Sequence, residues 1–363
     1  MKALVAEVRH NPLLWLLAFV PALFAAERLK PEAHTLLFLL SVLAIVPLAA
    51  LLSHATESVA AKTGDAVGGL LNATLGNLTE LVIALAALHA GQYMLVKASI
   101  AGAIVTNTLF MLGASFLLGG LKYHEQEFNR VGARLQAGLL FLATVALLVP
   151  SAISQADSAP AAVGRELSLG LSVLLILAYG LGLVFSLKTH RDLFASAERG
   201  EGDEAPWPLG LALATLAGVT LLVALVSEVF VESVQGASLA LGMTPAFVGF
   251  IVVSLVGAAA EMAAAFAGAR KNRLDLSVGI ALGSAAQIAL FVAPVLVLVS
   301  YVSGPTPMTL QFWPGAVVMM LIATMTAFLV TNSGRSAWFP GVLVLMVYAI
   351  FAMTLYLLPP RAQ

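Results

Sequence analysis

Two glutamates lie in stretches of the sequence that are otherwise apolar enough to cross a membrane. Glu80 follows Asn77 by three residues in LLNATLGNLTELVIAL (70–85), and Glu261 ends GAAAE (257–261). A charged carboxylate at the centre of a membrane helix costs about 2.5 to 3.5 kcal/mol even on the lenient insertion scale, so such acids face a protein interior or an aqueous cavity. Neither stretch contains a Lys or Arg that would neutralise the acid. The pair predicts a cation site, and a protonated or salt-bridged helix anchor is the alternative for each acid.

Small or polar residues precede both acids at helical spacing. On a continuous helix, the residues three, four and seven positions earlier share the face of the acid. They are Asn77, Gly76 and Ala73 before Glu80, and Ala258, Gly257 and Ser254 before Glu261. Such a stripe lets a neighbouring helix approach closely and leaves room for an ion beside the carboxylate.

Further oxygen ligands lie in the next apolar segments. Asn107 in IVTNTL and Gln287 in GSAAQIAL are amides close to Gly102 and Gly283, where we expect the helix backbone to loosen. Hydroxyl groups beside them, Ser284 and Thr106, are weaker candidates. An amide in a membrane helix also serves as a hydrogen-bonding link between helices, which is the alternative interpretation.

The ligand chemistry favours a hard cation. Carboxylates, amides, hydroxyls and carbonyls suit calcium, which takes 6 to 8 oxygen ligands in flexible geometry. The chain has no cysteine and no His cluster, which excludes a thiolate metal site. Sodium and magnesium accept similar ligands. Protons compete with a cation for carboxylate oxygens, so Glu80 and Glu261 are also the predicted proton-coupling groups.

Three other acids are candidates for an entrance that concentrates cations: Glu57, Glu228 and Glu232. Our predicted helices place Glu57 and Glu232 near helix ends, where a solvated surface explains them equally well. His54 lies three residues before Glu57, and it is a minor candidate for a proton path.

The elements that carry these residues are membrane helices. The 363 residues are 60% hydrophobic and 10% charged, and the mean hydropathy is +0.99. Apolar runs of about 17 to 25 residues are long enough to cross the bilayer. They predict an all-α polytopic membrane protein with eleven spans: 12–29, 35–55, 65–90, 94–120, 131–153, 166–188, 207–233, 238–268, 275–302, 310–331 and 336–358.

The charge distribution predicts the orientation in the membrane. Taking the loops alternately, the N-terminal side carries 13 Lys and Arg residues and the other side 5. The positive-inside rule then places the N-terminus in the cytoplasm and the C-terminus outside. The first segment lacks a clear cleavage site, so we interpret it as a retained helix. The net charge of −1 gives no bulk attraction to nucleic acid.

Short matches in the same order divide the chain into two related halves. GNLTE (76–80) matches GAAAE (257–261), SIAGAIVTN (99–107) matches SVGIALGSAAQ (277–287), and ESV occurs at 57–59 and 232–234. We predict an N-terminal helix (1–30), a first five-helix repeat (31–190), an acidic cytoplasmic linker (191–206) and a second repeat (207–363). Because five spans is an odd number, the repeats are inverted, as in secondary transporters with a site near the bilayer midplane.

The repeats resemble the calcium/proton antiporters of the CAX type, within the cation/calcium exchanger superfamily. The resemblance covers ATESVAAKTGDAVGGLLNATLGNLTELVIALAALHAG (55–91), VKASIAGAIVTNTLFMLGASFLLGG (96–120) and EMAAAFAGARKNRLDLSVGIALGSAAQIALFVAPVLVL (261–298). It implies eleven helices and the export of cytosolic calcium driven by inward proton movement. It also implies that Glu80 and Glu261 carry both ions, with the motif amides at Asn77 and Gln287.

One departure from this family pattern concerns the second motif. The family usually has G-N-A-A-E-H, whereas this chain has Ala258 in place of the amide and Met262 in place of the histidine. The site therefore lacks one oxygen ligand of a symmetrical set. The acidic linker is short and contains glycine, so we expect a solvated connection and not a regulatory helix.

These features predict a transporter that exchanges cytosolic calcium for external protons by alternating access, in the inner (plasma) membrane of a bacterium. Calcium, protons and the lipid bilayer are its expected partners, and no cofactor is expected. The sequence does not decide between a monomer and a homo-oligomer. A sodium, potassium or other cation antiporter of the same fold is the alternative. An intramembrane enzyme is disfavoured because the sequence has no paired aspartates, Ser-His pair or His-Glu-x-x-His motif.

Overall fold

Apolar runs form thirteen helices in the computed structural model, which describes residues 11–63, 65–153, 161–190 and 206–358. The helices of this described part are α1 (Pro12–Leu29), α2 (His34–Lys62), α3 (Val67–Leu75), α4 (Leu78–His89), α5 (Tyr93–Tyr123), α6 (Arg130–Ala152), α7 (Ala162–Thr189), α8 (Leu209–Ala240), α9 (Pro245–Gly257), α10 (Ala259–Arg270), α11 (Leu274–Ser303), α12 (Pro314–Thr331) and α13 (Trp338–Leu357). Two short strands, β1 (Glu125–Glu127) and β2 (Arg335–Ala337), pair antiparallel.

Nine of these helices are long and apolar enough to cross a membrane singly. The other four form two bent pairs, α3 with α4 and α9 with α10, which bring the number to eleven spans if each pair is counted as one. The predicted fold class is confirmed: one N-terminal helix and two inverted five-helix repeats. In the second repeat, α8 to α13 take the places that α2 to α7 take in the first.

Two predicted helix ends were wrong. The second span was expected to end at residue 55, but α2 continues to Lys62. The seventh span was expected to end at residue 233, but α8 continues to Ala240. The chain turns only at Gly242, whose φ of +66° favours glycine. Pro245 then begins α9 behind Thr244, whose side chain accepts a hydrogen bond from Phe247 N. Glu228 and Glu232 consequently lie about three and two turns inside α8.

The first compact unit consists of the described parts of Met1–Ser99 and Asp203–Ala260. In it α2 and α8 pack along each other, with Phe38 stacked on Phe230 at a ring-centroid distance of 5.4 Å. A Cβ at Gly249 would lie 2.7 Å from Ala98 Cβ and 2.9 Å from Leu95 O. α9 therefore approaches the beginning of α5 as closely as only glycine permits.

The second compact unit consists of the described parts of Ile100–Gly202 and Glu261–Gln363. It contains most of α5, together with α6, α7, α10 to α13 and the two strands. Hydroxyl groups join α6 to α12, where Thr144 Oγ1 and Thr324 Oγ1 are 3.0 Å apart. Each unit takes helices from both repeats. The predicted linker lies outside the described residues over 191–205, so the predicted domain boundaries stay a prediction.

Candidate cation site

Glu80 lies on the first turn of a helix that begins inside the membrane span. The chain turns at Gly76 and Asn77, α4 starts at Leu78, and its axis is bent by 42° from that of α3. The first N–H groups of a helix have no intrahelical partner and form its positive end. Glu80 is the third residue of α4, so it lies at this positive end of the helix.

The carboxylate of Glu80 is held against the second motif. A Cβ at Gly257 would lie 3.0 Å from Glu80 Cγ and 3.3 Å from both Cδ and Oε1. Glu80 Oε1 is buried and has no hydrogen-bond partner among the described residues. The contact joins the acid of the first repeat to the glycine of the second, and the sequence contained no sign of this particular pairing.

Glu261 occupies the equivalent position in the second repeat. α9 ends at Gly257, Ala258 forms the break, and α10 begins at Ala259 with its axis bent by 58°. Glu261 is again the third residue of the new helix, and its Oε2 atom is buried. Ala258 stands where Asn77 stands in the first repeat and is fully buried.

The predicted continuous helical face beneath each acid was wrong. Both helices end and restart between the acid and the residues three and four positions earlier. Asn77 directly precedes the first turn of α4 and is 1% exposed. Its backbone carbonyl oxygen accepts a hydrogen bond from Leu81 N at 3.0 Å. The hydroxyl of Ser254 bonds to backbone carbonyls of Ser99 and Gly249 at 3.3 and 3.2 Å. Glycine in each motif was the signal for these breaks.

Two other predicted ligands contact each other. Asn107 Nδ2 donates to Ser284 Oγ at 2.9 Å, which joins α5 to α11 within the second compact unit. Asn107 is fully buried, and its Oδ1 atom has no hydrogen-bond partner in the part of the chain that the structure describes. An amide held by its nitrogen presents its carbonyl oxygen as a hard ligand.

The backbone near these amides loosens at a different place from the one expected. Gly102 and Gly283 lie in regular helix, whereas π-helical turns occur at Thr106–Met111 and Ile288–Val292. Asn107 lies inside the first turn, and Gln287, half-buried, directly precedes the second. A π turn widens the helix and is frequent at functional sites. The sequence carries no local signal for either turn.

The three entrance candidates are exposed. Glu57 lies on α2, where its Oε1 atom accepts from Ser53 Oγ at 3.0 Å, and Glu228 and Glu232 lie on α8. The ring of His54 packs against that of Trp207 at a centroid distance of 4.4 Å. Within the described residues, no group of three or more His, Asp or Glu side chains is placed to hold a metal ion.

The sequence matches the family model described as "Sodium/calcium exchanger protein" over residues 33–188 and 211–357. This covers most of both repeats. The chain belongs to the sodium/calcium exchanger family. As a member of this family it is an integral membrane transporter, which excludes the intramembrane enzyme.

Relatives of this exchanger include antiporters over nearly the full chain. It is 42% identical over 361 residues to the "Ca(2+)/H(+) antiporter" of Synechocystis, which covers 95% of this chain and 96% of the relative. The "Ca(2+)/H(+) antiporter ChaA" of Bacillus subtilis is 40% identical over 326 residues, covering 89% of this chain and 92% of the relative. These relatives confirm the resemblance to calcium/proton antiporters.

Solved structures show the same fold. The structure of native YfkE superposes on this exchanger with a TM-score of 0.82 at 36% identity, covering 94% of this chain and 98% of that chain. The structure of the H+/Ca2+ exchanger CAX has a TM-score of 0.70, with 96% and 88% coverage; at 16% identity it supports the fold alone.

Proposed function

We propose that this exchanger moves calcium out of the cytosol in exchange for external protons. The observation that carries the proposal is Glu80, whose buried Oε1 atom has no hydrogen-bond partner among the described residues and lies at the start of a helix inside the membrane span. A buried carboxylate oxygen needs a proton or a cation. The two relatives named as calcium/proton antiporters support calcium as the cation.

Glu80 and Glu261 are the proposed carriers of both ions. Each carboxylate is neutral when protonated and anionic when it binds calcium, so proton and calcium occupancy are mutually exclusive. Two carboxylates match the charge of a divalent ion. Alternating access then requires only that the site open to one side at a time, with either cargo bound.

Uncharged oxygens complete the proposed ligand set. Asn107 supports it best because its Oδ1 atom is buried without a partner in the described part of the chain. Ser284 Oγ accepts a hydrogen bond from the nitrogen of the same amide. Asn77 and Gln287 adjoin the break before α4 and the π turn of α11, where the regular α-helix is interrupted.

The surroundings of the site are also proposals. Glu57, Glu228 and Glu232 supply exposed negative charge on α2 and α8, which would raise the local cation concentration. We place the N-terminus in the cytoplasm, the C-terminus outside, and the protein in the inner membrane of a bacterium. Calcium and protons are cargo, and no resident cofactor is proposed.

Transport by everted membrane vesicles tests the function. Vesicles that contain the protein are energised to build a proton gradient, which is followed with a pH-sensitive dye. Added calcium should dissipate the gradient in vesicles with the protein and not in vesicles without it. Sodium, potassium and magnesium are added in parallel. A response to one of these ions and none to calcium would establish the alternative antiporter.

The two carboxylates are tested in the same assay. Glu80→Gln and Glu261→Gln keep the side-chain shape and remove the ionisable group, so each should abolish calcium-dependent proton movement. Glu166→Gln is the matched control on the exposed surface of α7 and should transport normally. Thermal melting of the purified variants establishes that they are folded. Normal exchange by a folded Glu80→Gln or Glu261→Gln protein would show that the carriers lie elsewhere.

A further inference from the structure

A tyrosine from the last span of each repeat packs on a phenylalanine in a π turn of the other repeat. Tyr348 of α13 lies 5.3 Å from Phe110 between ring centroids, and Tyr179 of α7 lies 5.4 Å from Phe291. Phe110 and Phe291 lie in the π turns Thr106–Met111 and Ile288–Val292. The same interval, 181 residues, separates Phe110 from Phe291 and Glu80 from Glu261. These two contacts, which we call the Tyr–Phe braces, are therefore equivalent in the two repeats.

Tyr348 contacts both ends of its π turn. Its hydroxyl lies 3.3 Å from Thr106 Oγ1, and its ring lies against Phe110 four residues later. Tyr348 is 7% exposed and Thr106 is fully buried. A hydrogen bond and a ring contact made by one side chain leave the turn little freedom to rotate about the axis of α5.

The rotation of this turn determines where the amide of Asn107 lies. Asn107 follows Thr106 directly and is tied by its nitrogen to Ser284. Its Oδ1 atom is buried with no hydrogen-bond partner among the residues described. Tyr348 and Ser284 thus hold consecutive residues of the turn, and together they set the position of the oxygen that we propose as a ligand.

The first brace also reaches the helix of the second acid. Phe110 packs edge-to-face on Phe266 at a centroid distance of 6.5 Å, and Phe266 lies on α10 five residues after Glu261. The position of Tyr348 along the axis of α5 is set by the crossing of α5 and α13, where a Cβ at Gly341 would lie 2.6 Å from Gly113 O. Rigid backbone contact at this crossing leaves no room for α13 to slide past α5.

We propose that Tyr348 and Tyr179 are positioning residues, which hold the two π turns so that the polar groups beside them, Asn107 and Gln287, are placed for the cation. The inference rests on the proposed calcium transport. Neither tyrosine binds the ion itself. Their effect is therefore on the apparent affinity for calcium more than on the maximal rate.

The decisive measurement is the calcium dependence of transport in the Tyr348→Phe protein. This change removes one hydroxyl and keeps the ring, so the KM for calcium should rise about three- to tenfold, the worth of one hydrogen bond, while Vmax changes less. Thr106→Val removes the other partner and should give the same shift. The double variant should equal either single variant, because both remove one interaction. Tyr356→Phe, on the exposed surface of α13, is the control and should match the wild type.

The second brace is tested by removing its ring. Tyr179→Leu and Tyr348→Leu should both raise the KM for calcium, and calcium binding to the purified proteins, measured by calorimetry, should weaken in parallel. An unchanged KM in Tyr348→Phe, or additive shifts in the double variant, would overturn the inference while wild-type calcium transport upholds the function. A lower melting temperature with an unchanged KM would also overturn it, since that result assigns the tyrosines to stability alone.

Discussion

At the residue scale, the acids of the two repeats occupy the same local position. Each is the third residue of a helix that starts within a membrane span, after a break at Asn77 or Ala258. An acid there lies beside backbone N–H groups of the first helical turn, which have no partner within the helix. Gly257 supplies the space in which the Glu80 side chain lies. The absence of an amide at Ala258 makes the two halves chemically unequal.

Gly257→Ala tests the space beside Glu80. The added methyl would lie 3.0 Å from Glu80 Cγ, so the carboxylate must move by a few tenths of an ångström. We expect a several-fold higher KM for calcium in vesicles, because a displaced ligand binds less well. Gly218→Ala is the matched control, since a Cβ there meets nothing within 4 Å, and it should transport normally. Equal KM values in the two variants would contradict the placement of Glu80.

At the element scale, close contacts between helices position the polar groups. α5 and α13 cross at Gly113 and Gly341, where a side chain on either glycine meets the other helix. Small residues let membrane helices approach and gain packing contacts that lipid does not offer. The broken spans and π turns are tolerated for a related reason: their irregular backbone is packed against protein, where its polar groups find partners.

Gly341→Ala tests the helix crossing. Its methyl would lie 2.5 Å from Leu117 N and 2.6 Å from Gly113 O, and backbone atoms yield less readily than a side chain. Overpacking of this kind costs about 1 to 3 kcal/mol, so the melting temperature of the purified protein should fall by several degrees. A Cβ at Gly138 in α6 would meet nothing within 4 Å, so Gly138→Ala should leave the melting temperature unchanged or raise it slightly. A wild-type melting temperature for Gly341→Ala would contradict the crossing.

At the scale of the whole molecule, inversion of the repeats determines the orientation of every span. An odd number of spans per repeat makes the two copies enter the membrane in opposite directions, and the loop charges predict which side is cytoplasmic. Lys62, at one end of α2, should lie on the cytoplasmic side, and Glu32, before its other end, should lie outside.

Single cysteines test this orientation. The natural chain has no cysteine, so Glu32→Cys and Lys62→Cys each provide one labelling site at an exposed position, with the wild type as the unlabelled control. A membrane-impermeant maleimide should label Glu32→Cys in intact cells and Lys62→Cys only in everted vesicles. The reverse pattern would invert the proposed direction of transport.

The sequence by itself determined the number of spans and the repeat, and it pointed to the two acids that remain the candidates for the site. A helix needs a set length of apolar residues to cross the hydrocarbon, so composition along the chain reveals spans without any knowledge of their packing. An acid inside such a run is costly wherever it points, and Glu80 and Glu261 were identified on that ground. The missing amide at Ala258 was equally visible, because it follows from comparing one motif with the other.

Only the tertiary structure decided how these residues are held. The continuous face predicted beneath Glu80 was wrong, because periodicity alone does not show that a helix stops and restarts at Gly76 and Asn77. The pairing of Glu80 with Gly257 and of Asn107 with Ser284 joins residues 177 positions apart in each case. The Tyr348 contact with Thr106 spans 242 positions. Such contacts depend on which helices are neighbours, and that is set by packing of the whole chain and not by any local pattern.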